Sequence, residues 1–179
     1  MINRVPSGIT GLDELMEGGF VEGTVNLISG KAGTSKTILC AQFLYNGATK
    51  YGEKGLFITS EETKSSIIRA MQTFGWDFAE LDKKKMVKIL EVQPFEAKMV
   101  ISNITEAIER MKIKRLVIDS ISMFEYSLED QHRIRKFLFT LFQKLRERNI
   151  VALVTTEVPE NLNMLSQFGA VEFMADSII

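Results

Sequence analysis

Residues Gly30-Lys31-Ala32-Gly33-Thr34-Ser35-Lys36-Thr37 constrain this chain more than any other stretch. They follow a short apolar run, Val25-Asn26-Leu27-Ile28-Ser29, which predicts a buried strand at about 24–29. They precede Ile38 to Leu44, whose apolar period predicts a helix. A strand, a glycine-rich loop, a Lys-Thr pair and a helix together form a phosphate-binding loop. Glycines let the backbone curl so that successive N–H groups converge on an anion, and the following helix adds the positive end of its dipole. Lys36 supplies a point charge for the β- and γ-phosphates of a nucleoside triphosphate, and the Thr37 hydroxyl is a ligand for Mg²⁺. The expected phosphate-binding residues are therefore Gly30, Lys31, Ala32, Gly33, Thr34, Ser35, Lys36, Thr37 and Ile38. Ser35 stands where the pattern G-x-x-x-x-G-K-[ST] has its second glycine, and Gly33 is expected to supply part of the missing freedom. The pattern G-x-G-x-x-G is absent, which argues against dinucleotide binding.

With 179 residues, a single domain spanning 1–179 is expected. A hydrophobic content of 45% and a charged content of 25% suit a globular protein with a sizeable core. The formal net charge of -1 gives no electrostatic reason to expect a nucleic acid or membrane partner. The densest basic spots, Lys83-Lys84-Lys85 and Lys112-Ile113-Lys114-Arg115, are short and read as solvated turns between helix and strand. The single cysteine, Cys40, excludes an internal disulfide and fits a reducing, cytoplasmic compartment. The first residues carry no apolar stretch of signal-peptide length, and no run approaches a membrane span.

Apolar runs alternate with amphipathic ones. A short helix from Gly11 to Glu17, capped by Thr10, is expected to stop at Gly18-Gly19. Further strands are expected at Gly55–Thr59, Met86–Leu90, Arg115–Ile118 and Ile150–Val154. Further helices are expected at about 36–50, at Thr63–Phe74, at Lys98–Met111 and at Asp130–Arg148. This alternation predicts an α/β fold with a parallel sheet covered on both faces. In such sheets ligands bind outside the carboxyl ends of the strands, so the residues there carry the chemistry.

After the second strand stand Glu61 and Glu62. With a phosphate loop expected on the neighbouring strand, they read as a catalytic pair in which one carboxylate orients and deprotonates the attacking water. After the fourth strand stands Asp119, in position to hold Mg²⁺ opposite Thr37. After the fifth stand Thr155, Thr156 and Glu157, whose hydroxyls could sense the γ-phosphate; Thr156 is placed in the nucleotide site. His132 reads as exposed at a helix start, and Trp76 as a packing residue at a helix end.

Taken together, these residues resemble the KaiC branch of the RecA/RadA-like ATPases. Ser7-Gly8-Ile9-Thr10-Gly11-Leu12-Asp13-Glu14-Leu15 is similar to the family's opening motif, and Gly18-Gly19-Phe20 through Gly30 to its entry into the P-loop. Phe57-Ile58-Thr59-Ser60-Glu61-Glu62 is similar to its paired glutamates, Phe74-Gly75-Trp76-Asp77 to its Leu-Gly-Trp-Asp segment, Val117-Ile118-Asp119-Ser120 to its Walker B strand, and Thr155-Thr156-Glu157 to its Thr-Thr-Glu. The resemblance implies a RecA-like P-loop NTPase fold, a mostly parallel twisted sheet with helices on both faces, and hydrolysis of ATP with Mg²⁺. It also implies a hexameric ring with nucleotide between copies, Glu61 as the base and Glu62 as its partner. The family's clock members phosphorylate themselves on a Ser-Thr pair, and the positions here are Glu172 and Phe173, neither of which accepts a phosphate. The chain therefore resembles the family's hydrolytic domain rather than its autokinase domain. Asp176-Ser177-Ile178-Ile179 resembles the start of a family strand. The strands and basic segment that the family carries beyond it are expected to be missing, giving slow turnover and no stable ring unaided. Two alternatives stay open: a low-turnover, ATP-dependent scaffold or switch for an unidentified protein partner, and a DNA recombinase-like protein. The second is disfavoured because the loop from Val158 to Phe168 holds no Lys or Arg.

Overall fold

The computed structural model describes residues 2–93, 97–128, 130–158, 165–166 and 169–179, and at 97 and 98 the backbone alone. A six-stranded sheet runs through the chain, formed by β3 (Val25–Gly30), β4 (Gly55–Thr59), β5 (Val87–Glu91), β6 (Arg115–Asp119), β7 (Val151–Glu157) and β8 (Ser177–Ile178). Its order is β5-β4-β6-β7-β3-β8 and every pairing is parallel. Parallel neighbours need long crossovers, and helices supply them: α2 (Lys36–Lys50), α3 (Lys64–Gln72), α4 (Phe78–Lys83), α5 (Ala97–Met111), α6 (Ser122–Leu128) and α7 (Gln131–Arg146). A small antiparallel pair, β1 (Arg4–Val5) with β2 (Phe20–Val21), encloses the short α1 (Leu12–Leu15) ahead of the main sheet.

The period of two along each strand divides the core between the two faces. Leu56 and Ile58 of β4, Leu116 and Ile118 of β6, and Ala152 and Val154 of β7 pack with Ile104, Leu138, Leu141 and Phe142 from α5 and α7. The alternate residues Phe57, Val117, Val151 and Leu153 pack with Cys40, Phe43 and Leu44 of α2, and with Ile67, Met71 and Phe78 of α3 and α4. A sheet buried on both faces explains why its strands read as near-continuous apolar runs.

Several boundaries differ from the sequence expectation for local physical reasons. Thr10 caps nothing: α1 begins after Gly11, whose φ of 82° is left-handed. Thr63 lies outside α3 as its N-cap, its side chain accepting from the Ser66 N–H. Asp130 does the same for α7, accepting from the N–H of His132, which is exposed. Strand β6 includes Asp119, which pairs with Thr59 of β4, and β7 runs on to Glu157, because its ladder with β3 continues through Gly30↔Glu157. The strand expected to carry Glu61 beside the phosphate loop is not adjacent to it: β6 and β7 lie between β4 and β3. The helices α4 and α6 are too short to show a period, and the sequence expectation contained neither.

Trp76 packs as expected, stacked on Phe74 and Tyr45 with ring centroids 5.1 and 5.7 Å apart. Arg115 was expected only as a strand residue, yet its side chain is fully buried. Its Nε donates to Glu53 at 2.6 Å, its Nη1 to the Phe43 carbonyl at 3.0 Å, and its guanidinium lies 4.6 Å from the Phe43 ring centre. Gly47 makes room for it: a Cβ there would meet Arg115 Cδ at 2.4 Å.

Candidate active site

The carboxyl ends of β3, β4, β6 and β7 surround a cleft of about 310 Å³. Gly33, Thr34, Ser35, Lys36, Thr37 and Ile38 form one wall, and Thr59, Glu61, Glu62, Asp119, Ser120 and Glu157 form the other. Residues read from separate segments of the chain thus meet in one site. The loop leaves β3 at Gly30, where a Cβ would lie 2.7 Å from the Thr34 hydroxyl and would force that side chain to move. Gly33 has φ +77°. Ser35 itself is left-handed, at φ 65° and ψ 23°, in the place where the pattern has glycine. Gly33 therefore does not relieve Ser35 of that conformation, which disfavours a residue with a Cβ by about 1–2 kcal/mol. No side chain caps the N-terminus of α2, so its first-turn N–H groups face the cleft with the positive end of the dipole. Lys36 Nζ donates to the carbonyls of Gly30 and Lys31, each at 2.9 Å, and so folds back over its own loop. Gly30, Lys31 and Ala32 shape the loop without lining the cleft.

Opposite, Asp119 Oδ1 accepts from Thr155 Oγ1 at 2.5 Å. Ser120 Oγ donates to Glu61 Oε1 at 2.6 Å, and Ser60 Oγ donates to the Ser120 carbonyl at 3.1 Å. This pair of contacts bridges the ends of β4 and β6 and brings Glu61 toward the loop across the strands between. Glu62 is held differently: its Oε2 accepts from Ser66 Oγ at 3.0 Å, and its backbone is tied to the Thr59 hydroxyl. Thr156 does not join the cleft. It is fully buried and its hydroxyl meets Ser122 Oγ at 3.3 Å, because β7 turns alternate residues to opposite faces. The carboxylate–hydroxyl contact falls to Thr155, while Glu157 lines the cleft. Ser120 and Glu157 stood inside motifs already noted, but nothing in their residue type distinguished them; only the register of β4, β6 and β7 does.

The donors suit magnesium. Thr37 and Asp119 offer hard oxygens on opposite walls, and Mg²⁺ is commonly held by one or two carboxylates together with substrate phosphates rather than by an all-protein cage. Among the described residues no group of three or more His, Cys, Asp or Glu side chains could form such a cage. Cys40, buried behind the loop, has its thiol pushed up by burial and then by Asp119, so it is not a nucleophile.

Behind the cleft, α6 follows β6 after Ser120 and Ile121. Its first residue, Ser122, accepts from the Glu157 N–H at 3.2 Å. One turn further, the Glu125 carboxyl is fully buried and neither of its oxygens has a hydrogen-bond partner among the described residues. Burial, and next the nearby Glu172, push it up to about 7. Glu172 accepts a short hydrogen bond from Ser166 Oγ. Most of the loop from Val158 to Phe168, read for possible DNA contact, lies outside the described residues. Among the described residues, no helix is long and apolar enough to cross a membrane.

A parallel sheet in this strand order, a phosphate loop after β3 and an acid at the end of β6 define a RecA-like P-loop ATPase domain. The family model described as "ATPase: KaiC" matches residues 5–179, and the chain belongs to that family. It is 34% identical to the circadian clock oscillator protein KaiC of Parathermosynechococcus lividus, over 99% of this chain and 35% of that protein. It is 31% identical to the KaiC of Prochlorococcus marinus strain MIT 9313, over 99% of this chain and 38% of that protein. The chain thus spans little more than a third of the length of these curated relatives. Its fold matches the crystal structure of a KaiC-like protein from the hyperthermophilic archaeon Pyrococcus horikoshii OT3 with a TM-score of 0.90 at 41% identity, covering 99% of this chain and 80% of that one.

Proposed function

We propose that the chain binds ATP in the cleft between the loop and Asp119 and hydrolyses it with Glu61 as general base. One observation carries the assignment within the acidic pair. Glu61 is held by Ser120, next to Asp119, whereas Glu62 is taken up by Ser66 at the start of α3. Lys36 exchanges its two loop carbonyls for β- and γ-phosphate oxygens, and the N–H groups at the start of α2 receive the same charge. Thr37 and Asp119 would hold Mg²⁺, which when bound would supply positive charge to offset that of the phosphates. Glu61 accepts a proton from a water as the water oxygen bonds to the γ-phosphorus. The bond from the γ-phosphorus to the β–γ bridging oxygen breaks in line, and ADP and phosphate leave. Thr155 keeps Asp119 oriented by its hydrogen bond. Assembly into a hexameric ring with nucleotide between copies belongs to the same proposal on the strength of the resemblance, and residence in the cytoplasm on the strength of the single cysteine.

Single-turnover phosphate release tests this. Glu61→Gln is expected to keep ATP affinity within a few-fold and slow release by about 10²–10⁴. Glu62→Gln is expected to change release far less. The reverse result would assign the base to Glu62. A second reading, the low-turnover switch, draws on the retracted Lys36: nucleotide entry must rearrange the loop, which distinguishes bound from free states. Tight ATP binding with release unchanged in both variants would favour it.

A further inference from the structure

The opposite end of the sheet carries a second concavity with its own electrostatics. The groove lies between the edge strand β5 and the C-terminal turn of α5, and has a volume of about 330 Å³. Lys54, Lys85, Lys88 and Arg110 line it, with Ala107 and Met111 as its apolar floor. These four cations come from four separate places: the turn before β4, the residue pair after α4, β5 itself and the end of α5. None of the four side chains has an ion-pair or hydrogen-bond partner among the described residues. The acid in the groove, Asp82, is already held by Lys64 at 2.7 Å. A neighbouring hollow shares Lys88 and Arg110 and contains Glu106, which makes no ion pair with either among the described residues.

The ordinary account of such cations is the negative end of a helix dipole. Here it falls short. Helices α4 and α5 both end near the groove, and each contributes roughly half a negative charge. Counting Lys64 with Asp82, and including Glu106, leaves an excess of about two positive charges after both helix ends. Like charges gathered around one hollow repel, and Lys85 also takes a left-handed φ of 58°, which disfavours a β-carbon. In a chain whose net charge is -1, this is a local concentration and not a general surplus.

We propose that this groove is an anion site, separate from the P-loop cleft, for a small molecule bearing two or more phosphate groups. Arg110 and Lys88 contact the phosphates from α5 and β5, Lys54 and Lys85 add charge from the neighbouring starts of β4 and β5, and the organic part rests on Ala107 and Met111. The enclosed volume favours a small ligand over a polynucleotide, which would need a basic track extending beyond the hollow. The groove does not depend on the reading of the cleft as a hydrolytic site.

The test is calorimetric titration of the chain with inorganic pyrophosphate at low salt, in wild type, Lys36→Ala, Lys88→Glu and Arg110→Glu. Lys36→Ala is expected to retain one pyrophosphate equivalent. Each charge reversal is expected to weaken that equivalent at least tenfold, while leaving the melting temperature and the ATP-dependent melting shift near wild type. Lys88→Gln, which adds no negative charge, should give a smaller loss of the same sign. Loss of all pyrophosphate binding in Lys36→Ala would overturn the proposal. So would a second equivalent that is indifferent to the charges at positions 88 and 110. Binding of a single-stranded oligonucleotide that the same reversals abolish, without pyrophosphate binding, would assign the groove to nucleic acid instead.

Discussion

Glu125 offers a measurable link between burial and pH. Its carboxyl is fully buried without a hydrogen-bond partner among the described residues, and burial together with Glu172 raises it from an ordinary 4.5 to about 7. The folded state therefore keeps the proton up to neutrality, while the unfolded chain releases it above about 4.5. Between these values the unfolded state binds fewer protons, so stability falls as pH rises, by about 1.4 kcal/mol per unit, and levels off above 7. The full window amounts to about 3 kcal/mol, most of which falls between pH 5 and 8. Glu125→Gln has nearly the shape of the neutral acid and does not titrate. Urea unfolding of both proteins at pH 5, 6, 7 and 8 isolates the effect of Glu125 together with its coupling to Glu172, because groups remote from the two titrate alike in both proteins. Their stabilities should be closest at pH 5, and the variant should gain about 2–3 kcal/mol relative to wild type by pH 8. Parallel stabilities across the four pH values would refute the reasoning and mean that the carboxyl reaches water or a cation when ionised.

Three further outcomes follow from single positions. Lys36→Ala should abolish ATP-dependent thermal stabilisation, since the triphosphate loses a charge-assisted contact worth about 1.5–3 kcal/mol; an unchanged melting shift would remove the lysine from the site. Ser35→Gly should raise the stability of the nucleotide-free chain by about 0.5–1 kcal/mol by relieving the left-handed φ of 65°, read as a rise of a few degrees in melting temperature. Gly47→Ala should destabilise by about 1–3 kcal/mol, because its Cβ would press on the buried Arg115 guanidinium; Arg115→Met in the same background should restore part of the loss in chemical denaturation.

The phosphate loop was legible because its physics is local. Glycine at positions 30 and 33, the lysine at 36 and the apolar runs on either side act within a dozen residues of one another. The alternation of apolar strands and periodic helices was legible for the same reason, and a sheet buried on both faces left its mark on composition. The two acids after β4 and the one ending β6 could be suspected from strand ends alone. Which glutamate Ser120 holds depends on the β4–β6 pairing, and which threonine meets Asp119 depends on the register of β6 against β7.

The sequence by itself therefore determined the class of fold, the strand ends at which chemistry gathers and the loop that grips phosphate. The tertiary structure decided the strand order that places β6 and β7 between the loop and Glu61, the exclusion of Thr156, the burial of Arg115 beside Glu53, and the isolation of Glu125. It also decided the meeting, at the far end of the sheet, of four cations without a partner among the described residues. The division follows from the range of the forces. Backbone propensity and apolar periodicity act between neighbours in sequence, and so can be read along the chain. Burial, register and charge concentration depend on residues 30 to 150 positions apart, which come together only when long crossovers fold the strands side by side.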